Sequence, residues 1–130
     1  MKVLIGLPAY NEEAGIANVL KKIDDFRQVS RYDIKVLVVD DGSTDKTVKI
    51  VRDFAREYDY VKMIKHQGNK GLGEAVKTIL RYTMGNLQDE DILVTMDADN
   101  THSPFLIESM IGSLISHDLD QKRAMRIIGI

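Results

Sequence analysis

The sequence predicts an α/β fold, a parallel sheet with helices on both faces, and three observations predict it. Short apolar runs alternate with amphipathic stretches at helical spacing in a β-α-β-α-β-α-β-α rhythm. The run Ile34 to Val39 is β-branched and near-continuous, as expected of a strand covered on both faces. The turns that close the runs hold acidic or glycine-rich clusters, and open parallel sheets bind ligands at the carboxyl ends of their strands.

Each element has its own justification. Val3 to Leu7 is an apolar run closed by Pro8, which has no N–H for a ladder. From Glu13 to Arg27, Ile16, Val19, Leu20, Ile23 and Phe26 recur at helical spacing. After Ile34 to Val39, Ser43 or Thr44 can cap a helix with Val48, Val51, Phe54, Ala55 and Tyr58 inward. Val61 to Lys65 reads as the third strand, and Leu72, Ala75, Val76, Ile79, Leu80 and Thr83 as the stripe of the third helix. Ile92 to Met96 is the fourth strand. Ser103 and Pro104 then stand as N-cap and first residue of a fourth helix with Leu106, Ile107, Met110 and Leu114 inward. Ser116 to Gln121 is polar. Arg126 to Ile130 reads as a fifth strand or as a frayed helical tail, and a chain that stops inside a strand suggests a fragment or an early stop.

Composition narrows the function. The 130 residues suffice for one domain with a real core, and 44% hydrophobic content is ordinary for a globular protein. A net charge of −2 supplies no basic field, so no nucleic-acid partner is expected. The absence of cysteine removes disulfides, thiolate metal sites and cysteine nucleophiles, and permits a cytoplasmic location. No apolar run approaches a membrane span, and Met1-Lys2-Val3-Leu4-Ile5 reads as leading straight into a strand rather than as a signal peptide.

The chemistry lies in four turns. Asp97-Ala98-Asp99 closes the fourth strand with two carboxylates two residues apart, a claw for a hard divalent cation whose other ligands are phosphates, or else a solvated turn. In Pro8-Ala9-Tyr10-Asn11-Glu12-Glu13, Tyr10 can stack a flat base while Asn11 and Glu12 offer hydrogen bonds; the segment could equally end a strand and add charge near a helix start. In Asp40-Asp41-Gly42-Ser43, one carboxylate could accept backbone N–H groups, leaving the other for the imide of uracil or the N1–H and N2 amine of guanine. The loop His66-Gln67-Gly68-Asn69-Lys70-Gly71-Leu72-Gly73 can bring backbone N–H groups and the Lys70 cation to a phosphate or sugar, or serve as a plain connection; its Gly68 to Gly73 part is the motif. It lacks Walker A spacing, which argues against a P-loop ATPase.

Together these four motifs, with His102 and Pro104 following the last, resemble the nucleotide-binding part of family 2 glycosyltransferases of the GT-A fold, in particular the dolichyl-phosphate mannosyltransferase-like group. The likeness runs from the first strand to about Leu114. It implies a Rossmann-like parallel sheet of order 3-2-1-4 and a donor site for a UDP- or GDP-linked sugar. By the same likeness, Pro8, Tyr10 and Glu12 surround base and ribose, Val39 and Asp41 complete the base pocket, and Asp40 is the more structural acid. Lys70 and Gly71 belong to the donor site through their loop. Asp97 and Asp99 hold Mg²⁺ or Mn²⁺ against the diphosphate, Ala98 lies close to the nucleotide, and Thr101 stands where a further oxygen ligand could be. The implied reaction is an inverting hexosyl transfer to an acceptor such as a polyprenyl phosphate.

The departure is the acceptor half, which relatives carry beyond this point. No matching motif gives His117, Asp118 or Asp120 the role of catalytic base, so the catalytic residues stay unassigned. His102 could touch phosphate, or cap and pack. Residues 1–130 are therefore expected to be the donor-binding part, inactive alone, and to self-associate or depend on a C-terminal half. Membrane association would come through the acceptor or that half. Two other classes compete. A non-catalytic nucleotide-sugar-binding or regulatory module would bind donor without transfer. A phosphoacceptor receiver would need an acidic pair after the first strand and a late Lys-Pro turn, and neither is present.

Overall fold

The computed structural model describes residues 1–117 and 126–130. Its strands are β1 (Lys2–Ala9), β2 (Asp33–Asp40), β3 (Val61–Lys65), β4 (Ile92–Thr95) and β5 (Arg126–Gly129). They form one sheet of order β3-β2-β1-β4-β5 in which every neighbouring pair is parallel. The expected order 3-2-1-4 holds, and β5 joins beside β4 as a fifth strand, which overturns the frayed-helix alternative for Arg126–Gly129. The expected polar stretch from Ser116 to Gln121 begins inside the last helix; residues 118–121, with Asp118 and Asp120, lie outside the described residues.

Side chains alternate across the sheet, so β1 to β4 each feed two cores, whereas Ile127 of β5 stays exposed. On one face Val3, Ile5, Leu7, Val36, Val38, Ile92 and Val94 meet α1 (Ile16–Val29), α2 (Thr47–Glu57) and α4 (Leu106–His117) through residues such as Ile23, Phe26, Val51, Ile107 and Ile111. On the other face Leu4, Leu37, Val39 and Leu93 pack against Ala75 and Ile79 of α3 (Leu72–Asn86). Each fully buried Ile, Leu or Phe contributes about 1.5–3 kcal/mol relative to exposure, so the three-helix face dominates the core energetically. α3 sits close on the sheet: a Cβ on Gly6 of β1 would meet Ile79 Cγ2 at 2.7 Å.

Register positions the site. Ala9 is level with Asp40, Asp40 with Lys65, and Gly6 with Thr95. The ladder runs one residue further into each turn: Asp41 N donates to Ala9 O at 2.8 Å, His66 N to Asp40 O at 2.8 Å, and Met96 N to Gly6 O at 3.0 Å. Four turns are thereby fixed along one edge by backbone bonds.

Helix starts depart from expectation. α1 begins at Ile16 rather than Glu13, because Glu12 O first accepts both Gly15 N and Ile16 N in a tight turn. Neither Ser43 nor Thr44 caps α2. Ser43 Oγ accepts from Asn11 N instead, while Asp45 accepts from Thr47 N at 2.9 Å and Thr47 Oγ1 at 2.6 Å. Ser103 and Pro104 form a turn ahead of α4, whose first residue Leu106 is 53% exposed; Ile111 takes the buried place.

Candidate functional site

A cleft of about 450 Å³ opens at the carboxyl edge, over the ends of β1, β2 and β4 and the start of α3. Its floor and walls come from the four turns.

The first two turns are stitched together. Asn11, with φ 50°, donates its N–H to Ser43 Oγ at 2.9 Å, and its Oδ1 accepts Thr44 N at 2.9 Å. Glu12 N donates to Thr47 Oγ1 at 2.8 Å, and Glu13 Oε2 accepts Lys46 N at 3.1 Å. The Asn11 oxygen thus serves the scaffold, whereas Tyr10 stays 42% exposed at the cleft.

The acidic pair divides its labour. Asp40 is fully buried, and its Oδ2 accepts Gly42 N at 3.1 Å and Ser43 N at 3.0 Å, which shapes the turn. Its Oδ1 has no partner among the described residues. Asp41 lines the cleft and ties the second turn to the third loop: His66 Nδ1, Lys70 N and Gly71 N reach its carboxylate at 2.8, 2.9 and 2.8 Å. Burial raises the Asp41 pKa, but the His66 bond and the two backbone donors outweigh it and hold the carboxyl below its ordinary range. Gly42, at φ 80°, is required here, since a Cβ would lie 2.4 Å from the backbone carbon of Gly68.

Asp97 and Asp99 are exposed at the fourth turn, on either side of the buried Ala98. Asp99 Oδ1 accepts Thr101 Oγ1 at 2.6 Å and Thr101 N at 3.1 Å, and these bonds keep its pKa low. Thr101 here orients Asp99. His102 Nε2 lies 4.0 Å from Asp97 Oδ2. Burial, with Asp99, Asp45 and Asp97 nearby, raises the pKa of Glu12. The cleft thus gathers negative charge, although among the described residues no three His, Cys, Asp or Glu side chains converge as a metal-binding group.

Of the ten residues expected at a nucleotide-sugar site, Pro8, Tyr10, Glu12, Asp41, Gly71, Asp97, Ala98 and Asp99 line this cleft. Val39 does not: it is fully buried beneath, against the α3 side of the core. The Lys70 side chain is also absent from the lining, and its contribution is the backbone N–H held by Asp41. The sequence placed His66, Asn69 and Leu72 in the glycine loop and Ala75 on the third helix without giving any of them a site role; Asn69, Leu72 and Ala75 line the cleft, and His66 holds Asp41. The available signal for His66 was its position, one residue past β3, at the strand end where the other candidate ligand turns lie.

Residues 4–121 match the model of the family described as Glycosyl transferase family 2. A UDP-N-acetylglucosamine–dolichyl-phosphate N-acetylglucosaminyltransferase of Methanococcus voltae is 36% identical, over 93% of this chain and 50% of its own length. A dolichol-phosphate mannosyltransferase of Pyrococcus furiosus is 34% identical, over 88% of this chain and 30% of its own. The chain therefore spans half or less of these relatives. Among solved structures, a mannosyltransferase of Pyrobaculum calidifontis in complex with GDP-Man and Mn²⁺ superposes with a TM-score of 0.60 at 29% identity, covering 75% of this chain and 27% of that one. S. aureus TarS 1–349 in complex with UDP-GlcNAc gives a TM-score of 0.67 at 24% identity, covering 90% and 32%, a likeness of fold.

Proposed function

Because this chain belongs to glycosyl transferase family 2, we propose that its cleft holds a nucleotide-diphosphate sugar and that the whole protein transfers the sugar, with inversion, to an acceptor such as a polyprenyl phosphate. The observation that carries the reading is the convergence of eight expected donor-site residues, from three strand ends and the glycine loop, on one cleft. Tyr10 offers a flat face for a base, Glu12 a carboxylate for ribose hydroxyls, and Asp41 an acceptor for a base N–H.

Asp97 and Asp99 fit a hard cation by chemistry and by charge. Both are exposed oxygen donors, and their charges help raise the Glu12 pKa, a repulsion that a divalent ion would relieve. They would hold Mg²⁺ or Mn²⁺, which supplies Lewis-acid stabilisation of the departing nucleoside diphosphate. Thr101 fixes the orientation of Asp99 for this role. Fixed backbone turns keep base-binding and diphosphate-binding groups in one geometry, so the donor is oriented by the sheet edge itself. The acceptor and its base are assigned to the remainder of the protein. Among the described residues no helix is long and apolar enough to cross a membrane. A cytoplasmic protein meeting the membrane through a lipid-phosphate acceptor is the corresponding location.

The test is calorimetric titration of the chain with UDP-GlcNAc, GDP-mannose and a dTDP-sugar, with and without Mn²⁺. Binding of at least one donor that strengthens with Mn²⁺ is expected. Absence of any Mn²⁺-dependent binding would remove the donor reading.

A further inference from the structure

The base pocket contains an acceptor whose capacity can be counted. An ionised carboxylate has about four lone-pair positions, two on each oxygen. Asp41 Oδ1 already receives two donors, His66 Nδ1 at 2.8 Å and Lys70 N at 2.9 Å. Its Oδ2 receives one, Gly71 N at 2.8 Å. One position remains, and it is on Oδ2.

The His66 ring is not free to vacate its place. Nε2 lies 2.8 Å from Thr78 Oγ1 in α3, and that hydroxyl lies 3.0 Å from Glu74 O. The imidazole side chain is 10% exposed and is held at both nitrogens, between the acidic turn and the helix. Since an ionised carboxylate only accepts, Nδ1 carries the proton of the Asp41 bond.

We propose that His66 is a specificity-determining residue: by filling Asp41 Oδ1 it biases the cleft toward nucleoside diphosphates whose base presents a single ring N–H between two carbonyls, uracil or thymine, and against guanine. Guanine presents N1–H and its N2 amine side by side, and pairing both with one carboxylate needs a free position on each oxygen. Here the second donor would be left unpaired on a desolvated surface. A site that rejects a ligand in this way discriminates more strongly than one that merely fits poorly. Uracil or thymine asks for one position, which is what the neighbours of Asp41 leave open. The two backbone donors come with the glycine loop and are common to any side chain there; His66 is the member that substitution can remove. The inference rests on the donor reading of the cleft and deepens it by naming the base.

The experiment measures Kd for UDP, dTDP and GDP, each with Mn²⁺, by calorimetry on the parent chain and on His66→Ala, His66→Asn and His66→Gln, with circular dichroism to verify folding. In the parent, UDP and dTDP should bind about tenfold or more tighter than GDP. His66→Ala frees Oδ1, and the preference should shrink to within about threefold. Asn places its amide nitrogen near the position of Nδ1 and should keep the preference. Gln places its nitrogen near Nε2 and should lose it, which gives a second reading if the alanine variant does not fold. A purely packing role for His66 would lower all three affinities together and leave their ratio unchanged, and that result overturns the proposal. GDP binding as tightly as UDP in the parent also overturns it, while the donor reading survives. No Mn²⁺-dependent binding of any of the three removes both.

Discussion

Asp97 and Asp99 stand at the mouth of the cleft with little structural duty. Asp97 is 59% exposed at its side chain, and among the described residues the Asp99 carboxylate is hydrogen-bonded by its near neighbour Thr101 alone. Replacing either with Asn keeps size and shape and removes one charge. Asp97→Asn and Asp99→Asn should each weaken Mn²⁺-dependent nucleotide binding by about tenfold or more, roughly 1.4 kcal/mol, while the melting temperature stays within a degree or two of the parent. Calorimetry with and without Mn²⁺ checks the first part and thermal denaturation the second; unchanged Mn²⁺ dependence in both variants would remove the claw. Asp41 is the opposite case, nearly buried and tied by three donors, so its substitution would confound binding with folding. Position along the chain made both acids visible in the sequence. Their different standing was not visible, because it depends on His66, Lys70 and Gly71, which no spacing rule places beside residue 41.

At the level of elements, two contacts carry testable weight. The first joins the acidic turn to the glycine loop, where Gly42 approaches the Gly68 backbone more closely than any side chain permits. Gly42→Ala must adopt a left-handed φ and also push the two loops apart, so it should lower stability by about 2 kcal/mol or more and reduce nucleotide affinity with it. Chemical denaturation checks the first effect and calorimetry the second. The second contact joins α1 to the start of β3. Tyr60 Oη donates to Asp24 Oδ1 at 2.8 Å, Arg27 reaches the same oxygen at 3.3 Å, and the Arg27 guanidinium lies 4.2 Å from the Tyr60 ring centre. Burial pushes the Asp24 pKa up, but the bonds from Tyr60, Gln28 and Arg27 outweigh it and leave it lowered. A lowered carboxyl pKa stabilises the fold above the unfolded value, near pH 4, and that contribution is lost as pH falls through the folded value. Tyr60→Phe should therefore cost about 1.5 kcal/mol at neutral pH. The gap between parent and variant should close as Asp24 protonates, which urea titrations from pH 7 down to about pH 3 would follow. Helix starts were the least legible elements. Ser43 and Thr44 have the chemistry of caps, yet Asn11 engages both, and only the folded turns reveal that competition.

For the molecule as a whole, the alternation of apolar runs and amphipathic stretches was enough to read a parallel sheet and the edge where its ligand groups gather. The unequal cover of the two faces, three helices against one among the described residues, was not readable, because every helix in the sequence has an apolar stripe and nothing local says which face it meets. The central place of β1 has a consequence in time. This strand is made before the other four described strands, yet it pairs on one side with β2 and on the other with β4, and its beginning is locked by a bond from Lys2 N to Asp91 Oδ1 across 89 positions of sequence. Until β4 has emerged, β1 keeps one unpaired edge, a template for pairing with other chains. The Asp97 and Asp99 wall arrives only after that strand. Ligand binding therefore cannot assist the early stages of synthesis, and the growing chain depends on α1, α2 and α3, or on a chaperone, to shelter β1 until its last neighbour is made.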